Sequence, residues 1–144
     1  MRRFNLGVAA VLVLAASLAS ADDLTGASRF LCASVQATRC EEGGECAAEV
    51  PWNLNIPAFF EVDLDAKRLS TTVASGENRA TPIAHMTRAN GVIVLQGFEM
   101  GRAFSFVISE QTGQVAVAVA SEGRATVVFG ACTPQPVTAA PKSK

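Results

Sequence analysis

Three carboxylates at alternating positions form the densest group of side chains that could perform chemistry. Glu61, Asp63 and Asp65 occur at i, i+2 and i+4, and a β-strand directs such positions to one face of a sheet. The arrangement suits a calcium site or the acid–base pair of a hydrolase. It also suits the solvated face of an amphipathic strand. We favour the solvated face, because Lys67 and Arg68 follow closely enough to neutralise the carboxylates.

His85 is the single histidine of the chain. A catalytic triad needs such a residue beside an activated serine or cysteine, and no Gly-x-Ser-x-Gly motif is present. One histidine also cannot build a zinc site without several other ligands. We therefore predict a non-catalytic protein with no cofactor and no metal site.

An acidic segment and a lone tryptophan are the best candidates for binding. Glu41, Glu42 and Glu45 cluster within six positions, and Trp52 is the only tryptophan. The carboxylates can meet a basic partner, or they can form a solvated loop that keeps the protein soluble. Trp52 can anchor a partner, or it can pack against the end of the domain. These four residues are the predicted binding site, with a protein or a small apolar molecule as the partner.

The first 21 residues have the three parts of a secretory signal peptide. Arg2 and Arg3 give a positive start, an uncharged apolar run follows, and Ala19-Ser20-Ala21 supplies the small residues of a cleavage site. The apolar run is shorter than the roughly 20 residues that a membrane-spanning helix needs. We predict cleavage after Ala21, no membrane span in the mature chain, and a periplasmic or secreted location.

The mature chain is small and slightly acidic. Of the 144 residues, 123 follow the predicted cleavage site, which is the length of one domain. Loss of Arg2 and Arg3 leaves 10 basic residues against 13 acidic ones, a net charge of −3. Nucleic-acid binding requires a basic face, so this charge argues against a nucleic-acid partner.

Four cysteines predict two disulfides. An even number of cysteines in an exported chain is typical of a disulfide framework, and four allow three connectivities. We favour Cys40–Cys46, because two glycines between them permit a tight reversal, and Cys32–Cys132, which would tie the first strand to the last. A zinc site is the alternative, but the cysteine spacings do not match C-x2-C pairs.

From Phe30 onward the hydrophobic residues alternate with a period of two, which is typical of β-strands. Phe104, Phe106 and Ile108 give the clearest example. Turn signals separate the runs, and Asn90-Gly91 is the strongest, because a type I′ turn needs positive φ at both central residues. The pattern predicts eight strands, at residues 30–39, 58–64, 68–74, 80–88, 92–97, 102–109, 114–120 and 124–132.

These strands predict an all-β domain over residues 22–132. Short connections favour an eight-stranded antiparallel up-and-down meander, and closure into a small barrel removes the exposed edges. A two-sheet sandwich is the alternative. Residues 133–144 hold three of the six prolines and are predicted to form a flexible tail.

The segment at residues 47–57 is the one long connection. Pro51 and Pro57 disfavour regular sheet there, so we predict a loop that covers one end of the barrel with Trp52 folded over it. Whether the barrel is filled or hollow stays open, because small interior residues suit either outcome. Six phenylalanines supply the aromatic bulk: Phe59, Phe60, Phe98, Phe104, Phe106 and Phe129.

Several short segments carry a resemblance to known proteins. Residues 57–64, 94–97, 101–105 and 128–132 read PAFFEVDL, VLQG, GRAFS and VFGAC, with Thr112-Gly113 between the last two. Together they resemble a group of short exported bacterial proteins of unassigned function. The architecture is similar to that of lipocalins and periplasmic lysozyme inhibitors, although the lipocalin Gly-x-Trp and the inhibitor loop motif are absent. That likeness concerns architecture alone, and a fold does not establish a function.

These observations together predict an exported, non-catalytic binding protein of the bacterial envelope. It would bind its small apolar ligand or protein partner at the barrel end formed by residues 41–57, because binding tends to lie on irregular connections of a rigid scaffold. The alternative is a structural or stress-related envelope protein whose partner is another subunit.

Overall fold

The computed structural model describes residues 22–136. The predicted signal peptide and residues 137–144 therefore lie outside the described residues. The chain forms ten strands, here called β1 to β10: Arg29–Glu41, Cys46–Glu49, Phe59–Asp63, Arg68–Thr71, Ala80–Pro82, His85–Ala89, Val92–Glu99, Arg102–Ser109, Gln114–Ser121 and Arg124–Pro134. Two short 3-10 turns lie at Pro51–Leu54 and Val73–Ser75. The predicted all-β class is confirmed.

All ten strands belong to one curled antiparallel sheet in the order β5-β4-β3-β1-β10-β9-β8-β7-β6, with β2 paired to β1 beside this path. The long strand β1 organises the sheet. It pairs with β10 along its whole length on one edge, while β3 and β2 share the other edge. A bulge between Ser34 and Gln36 shifts the register of β1 against β10 and leaves Val35 exposed.

The two ends of this strand order, β5 and β6, follow one another in the chain. Between them, the Ile83 amide donates to the Lys67 carbonyl at 2.8 Å, and the Ala84 amide donates to the Gln96 carbonyl at 2.9 Å. Lys67 precedes β4 and Gln96 lies in β7, so two consecutive residues of the β5–β6 connection hydrogen-bond to segments on both sides of the gap between the ends of the sheet. The meander thereby curls into a small barrel.

Alternating side chains fill the interior, as the period of two predicts. The inward rows include Phe60 with Val62, and Phe104 with Phe106 and Ile108, and all five are buried. Of the six phenylalanines expected to supply bulk, only three lie in this core. Phe59, Phe98 and Phe129 have the opposite parity on their strands and are about half to two thirds exposed.

The residues that precede β1 seal one end of the barrel. Leu24 is fully buried, and its amide donates to the Glu110 carbonyl at 2.7 Å. The Arg88 guanidinium donates to the carbonyls of Leu24 at 3.0 Å and Ala27 at 2.8 Å, and it also pairs with Glu110. Because Glu110 follows β8, Leu24 plugs the barrel at the C-terminal end of that strand.

Four strand boundaries differ clearly from the sequence expectations. The strand expected at 68–74 ends at Thr71, and Val73–Ser75 forms a 3-10 turn. Residues 46–49, expected to be irregular, form β2, because the Cys40–Cys46 bridge and the tight turn before it pair them with β1. The strand expected at 80–88 divides after Pro82, which lacks an amide hydrogen and has a fixed φ. The last strand extends to Pro134, and the Gln135 amide donates to the Arg29 carbonyl, so the flexible tail does not begin at 133.

The structure contains both favoured disulfides, and all four cysteines take part in them. Cys32 and Cys132 are direct partners in the β1–β10 register, so this bridge joins the first long strand to the last. Cys40 and Cys46 are direct partners in the β1–β2 register. The Asn90-Gly91 turn also adopts the predicted conformation, with φ of 53° and 75°.

The two bridges should differ in their contribution to stability. They close loops of very different length, with sequence separations of 100 and 6 residues. The loop-entropy relation assigns about 4.7 kcal/mol to the long loop and about 2 kcal/mol to the short one. In urea unfolding without reductant, the C32A/C132A double variant should therefore lose about twice as much unfolding free energy as C40A/C46A. Equal losses would show that chain entropy does not govern the difference.

Candidate ligand cavity and its mouth

The barrel contains a cavity of about 100 Å³. It lies at the end opposite to Leu24, because its lining reaches Glu99 and Arg102 at the start of β8, whereas Leu24 binds Glu110 beyond the end of β8. The 3-10 turn of residues 51–54 leads into the rim of the cavity at residues 55–57. The barrel thus has one sealed end and one end with a mouth.

The floor of the cavity is apolar. Phe106 contacts two other rings edge-on, with centroid distances of 5.6 Å to both Phe60 and Phe104. The hydroxyl groups of Ser34 and Thr81 are the buried polar groups of the lining. The apolar lining comes from inward rows of β3, β4, β8, β9 and β10: Phe60, Leu69, Phe104, Phe106, Val117, Val119 and Val128.

Gly97 allows the Phe104 ring to lie as it does. The two residues are direct partners in the β7–β8 register. A Cβ atom at Gly97 would collide with the ring and would lie 2.9 Å from the Pro82 carbonyl oxygen. The missing side chain therefore makes room for the Phe104 ring, and the shape of the cavity depends on it.

Three charged residues, Arg79, Glu99 and Arg102, stand at the mouth, and we call them the mouth charges. Each continues an inward-facing row beyond the core: Glu99 follows Gly97 on β7, and Arg102 precedes Phe104 on β8. Their side chains are each about one quarter exposed. The lining therefore changes from apolar to charged where the barrel opens.

Arg79 connects three segments around the mouth. Its guanidinium donates to the Asn55 carbonyl at 3.1 Å and to the Glu99 carboxylate at 3.2 Å. Its backbone amide donates to the Thr71 hydroxyl at 3.1 Å, and Glu77 lies 3.8 Å away as a weaker ion pair. The residues before β3, the β4–β5 connection and the β7–β8 hairpin are thereby tied together.

The Arg102 guanidinium has fewer partners than that of Arg79. Its nearest carboxylate oxygen is that of Glu99 at 4.0 Å, and Glu99 already accepts the closer hydrogen bond from Arg79. Within residues 22–136 the Arg102 side chain makes no hydrogen bond to another protein group. The three mouth charges sum to +1, and the more exposed Glu77 lies beside them as the second carboxylate near Arg79.

Trp52 does not cover the barrel end as expected. It is 59% exposed, while the neighbouring Pro51 is buried, so the 3-10 turn inserts the proline and directs the tryptophan outward. Trp52 and the exposed Phe59 line an open groove of about 420 Å³, which we call the Trp52 groove. Residues 55–57 separate this groove from the cavity and line both.

The acidic candidates lie on a different part of the molecule. Glu41 accepts hydrogen bonds from Arg124 at 3.1 and 3.2 Å and also pairs with Arg39 at 3.0 Å. Glu42 and Glu45 are exposed in the hairpin between β1 and β2. Strand β2, about 10 Å long by the rise of a strand, separates this hairpin from Trp52. The structure therefore places Trp52 and the glutamates in separate segments, and their joint role as a binding site stays a prediction.

The other polar candidates have structural surroundings. Glu61 accepts a hydrogen bond from Gln135 at 3.3 Å, and Asp63 pairs with Arg29 at 3.5 Å. Asp65 lies in the turn after β3, so the three carboxylates do not share one strand face. His85 is exposed on β6. Among residues 22–136, no three His, Cys, Asp or Glu side chains cluster closely enough to hold a metal ion.

The outer face of β8, β9 and β10 is unusual in its composition. Its outward positions from 103 to 109, 114 to 120 and 125 to 131 carry no charged side chain. Val107, Val127 and Phe129 are 39–49% exposed there, and alanines occupy most of the remaining positions. We call this surface the outer apolar face.

Comparison with protein-family models, curated proteins and solved structures finds no significant match to this chain. The resemblance to short exported bacterial proteins therefore stays a prediction. In the part of the chain that the structure describes, no helix has the length and apolar character needed to cross a bilayer.

Replacement of Arg79 should loosen the mouth. Arg79→Gln removes the hydrogen bond to the Asn55 carbonyl and the ion pair with Glu99, at a cost of about 1 kcal/mol for a partly exposed site. We expect faster amide hydrogen exchange in residues 53–57 and 73–78. Arg124→Gln is the matched control, because its more exposed ion pair lies on the β1–β2 side. Unchanged exchange in both segments would show that Arg79 does not hold them.

Proposed function

We propose that this chain is an exported, non-catalytic binding protein that holds a small, largely apolar molecule inside its barrel. The observation that carries the proposal is the cavity of about 100 Å³, with an apolar floor and a charged mouth. Ligand sites are typically concave and mostly apolar, with a few polar groups that fix orientation. The barrel cavity has this composition.

The volume limits the size of the group that enters. An apolar cavity of about 150 Å³ in another protein binds benzene. A cavity of about 100 Å³ suits a single ring after slight expansion, or a short alkyl chain. A larger ligand would place the remainder of its structure at the mouth, beside the Trp52 groove.

The two disulfides and the predicted signal peptide support a location outside the cytoplasm. Disulfides persist in oxidising compartments, and this protein has two. Together with the predicted signal peptide, they support a periplasmic or secreted protein of the bacterial envelope. The hydroxyls of Ser34 and Thr81 and the mouth charges provide orientation, which is a binding role.

A cavity-filling variant tests this function. Val119 lines the cavity and is only partly buried, so Val119→Phe can occupy the space with little overpacking. We expect it to abolish the broadening that wild-type protein causes in the fluorine NMR signal of fluorobenzene. Val35→Phe is the matched control, since Val35 is 68% exposed on the β1 bulge.

A protein purified from its native host should also retain its ligand. Native mass spectrometry would then give a mass larger than the denatured mass by one small molecule. Equal broadening of fluorobenzene by wild type and Val119→Phe would contradict binding in the cavity.

A second candidate function is that of a structural envelope protein that associates with another copy of itself. The observation in its favour is the outer apolar face, since uncharged patches of several hundred Å² mark interaction sites. Val127 and Phe129 form a ridge on β10 beside the alanines of β9. In a twofold dimer, the ridge of one copy could pack against the alanines of the other copy, and the reverse.

The size of this face is compatible with a weak dimer. Its three strands, each of about eight residues at about 3.4 Å per residue and about 4.8 Å spacing, cover roughly 400 Å². Stable interfaces bury about 600–1,000 Å² on each partner. We therefore expect an equilibrium between monomer and dimer.

Light scattering over a concentration series tests this candidate. Phe129→Glu should reduce the mass to that of the monomer at every concentration, because it places a charge in the centre of the buried face. Thr112→Glu, which adds the same charge to an exposed hairpin, should leave the association unchanged. A monomeric wild-type protein throughout the series would exclude the dimer.

A further inference from the structure

We infer that the ligand of the cavity is a small monoanionic amphiphile whose carboxylate binds Arg102 while its apolar part enters the barrel. This inference rests on the proposed binding function and adds the chemical class of the ligand. It comes from the position of Arg102, its surroundings and the charge of the mouth.

The position of Arg102 is set by the parity of β8. Residues 102, 104, 106 and 108 alternate to the same side of the strand, and Phe104, Phe106 and Ile108 point into the barrel. Arg102 is the next member of this row toward the mouth, and it lines the cavity. A ligand whose apolar part contacts Phe104 and Phe106 would therefore have its outer end beside the Arg102 guanidinium.

The surroundings leave the donors of Arg102 available. Glu99 binds Arg79 at 3.2 Å and lies 4.0 Å from Arg102. The Arg79 guanidinium donates hydrogen bonds to the Asn55 carbonyl and to the Glu99 carboxylate. Arginine presents five N–H donors in a fork that matches a carboxylate, and among the described groups none accepts from Arg102.

The charge at the mouth selects the sign of the ligand. Glu77, which lies outside the lining, and Glu99 both pair with Arg79, so a neutral ligand would leave the Arg102 guanidinium with no carboxylate closer than 4.0 Å at the rim of an apolar cavity. A ligand with one negative charge would neutralise this guanidinium. Water screens an ion pair that is partly exposed, so we expect a preference for the anionic ligand of about tenfold.

The volume of the cavity limits the size of the apolar part of the ligand. A group of about the volume of a benzene ring fills the cavity of about 100 Å³. The carboxylate must lie within one or two bonds of that group, because Arg102 and Phe104 are only two residues apart on one strand face. Short aromatic or branched carboxylates meet both conditions.

Benzoate and benzamide provide the test, because they have nearly the same shape and differ in charge. At pH 7 and low salt, isothermal titration should show that wild-type protein binds benzoate about tenfold more tightly than benzamide. Arg102→Gln should bind both with similar affinity. Arg102→Lys should keep part of the preference, since it keeps the charge and loses the planar fork.

Arg124→Gln is the matched control. It removes a guanidinium from the same end of the barrel, but Arg124 pairs with Glu41 and does not line the cavity. We expect it to retain the full preference for benzoate. Urea unfolding of each variant confirms that the comparison is made between folded proteins.

The possible results separate this inference from the proposed function. Equal binding of benzoate and benzamide by the wild type would overturn the carboxylate inference while leaving a cavity that binds apolar molecules. A preference that persists in Arg102→Gln would overturn the role of Arg102. Failure of fluorobenzene, benzoate and benzamide alike to bind would overturn the proposed function itself.

Discussion

The antiparallel pairing of β1 with β10 is the interaction on which the rest of the structure depends. These strands come from opposite ends of the described chain, and Cys32 faces Cys132 across the ladder at a sequence separation of 100 residues. Bringing such distant segments together has a large entropic cost in an open chain. The disulfide removes much of that cost by restricting the unfolded state. An interior that can enclose a cavity exists only when this pairing holds the curled sheet together.

A second constraint, the alternation of side chains, explains why charge appears at the cavity mouth. Some strands extend past the buried core. Beyond the core, every second side chain of such a strand still points toward the inside of the barrel. On β7 this inward row ends in Glu99, and on β8 it begins with Arg102. The same rule that builds the apolar floor from Phe104 and Phe106 thus places charged groups above it. The cavity and its polar rim are consequences of one geometric pattern, which links the fold directly to the proposed binding.

Much of the fold could be predicted from local patterns because the period of two, the Asn90-Gly91 turn and the cysteine count act over short distances or through covalent bonds. The parts that could not be predicted depend on tertiary contacts. Nothing near Leu24 in the sequence indicates that it fills the barrel end, since its burial requires Glu110 and Arg88 from distant strands. Two differences did have a local signal: Pro82 marks the division between β5 and β6, and the glycine turn before Cys46 favours β2.

The candidate site was harder to predict than the fold, for a physical reason. Sequence reasoning selected Trp52 and the glutamates around Cys46 by residue type, because large aromatic residues and charge clusters often bind partners. Glu99 and Arg102 face each other in one hairpin, but Arg79 is 20 positions away from Glu99 and becomes their neighbour only when the sheet curls. Extending the inward parity of each strand past its last apolar residue would have identified Glu99 and Arg102. The ion pair between Glu99 and Arg79 still required the β4–β5 connection to lie beside the mouth.

The distribution of burial polarises the molecule along the barrel axis, and this polarity favours binding at one end. Leu24 seals the end near Glu110, where Arg88 ties the N-terminal segment to the barrel through three partners. At the other end, Arg79 ties segments together in a similar way, but among residues 22–136 no buried apolar side chain like Leu24 lies beside it to fill the opening. Under the proposed function, a molecule that enters the barrel would therefore pass the mouth charges, and Arg79 would lie on its path.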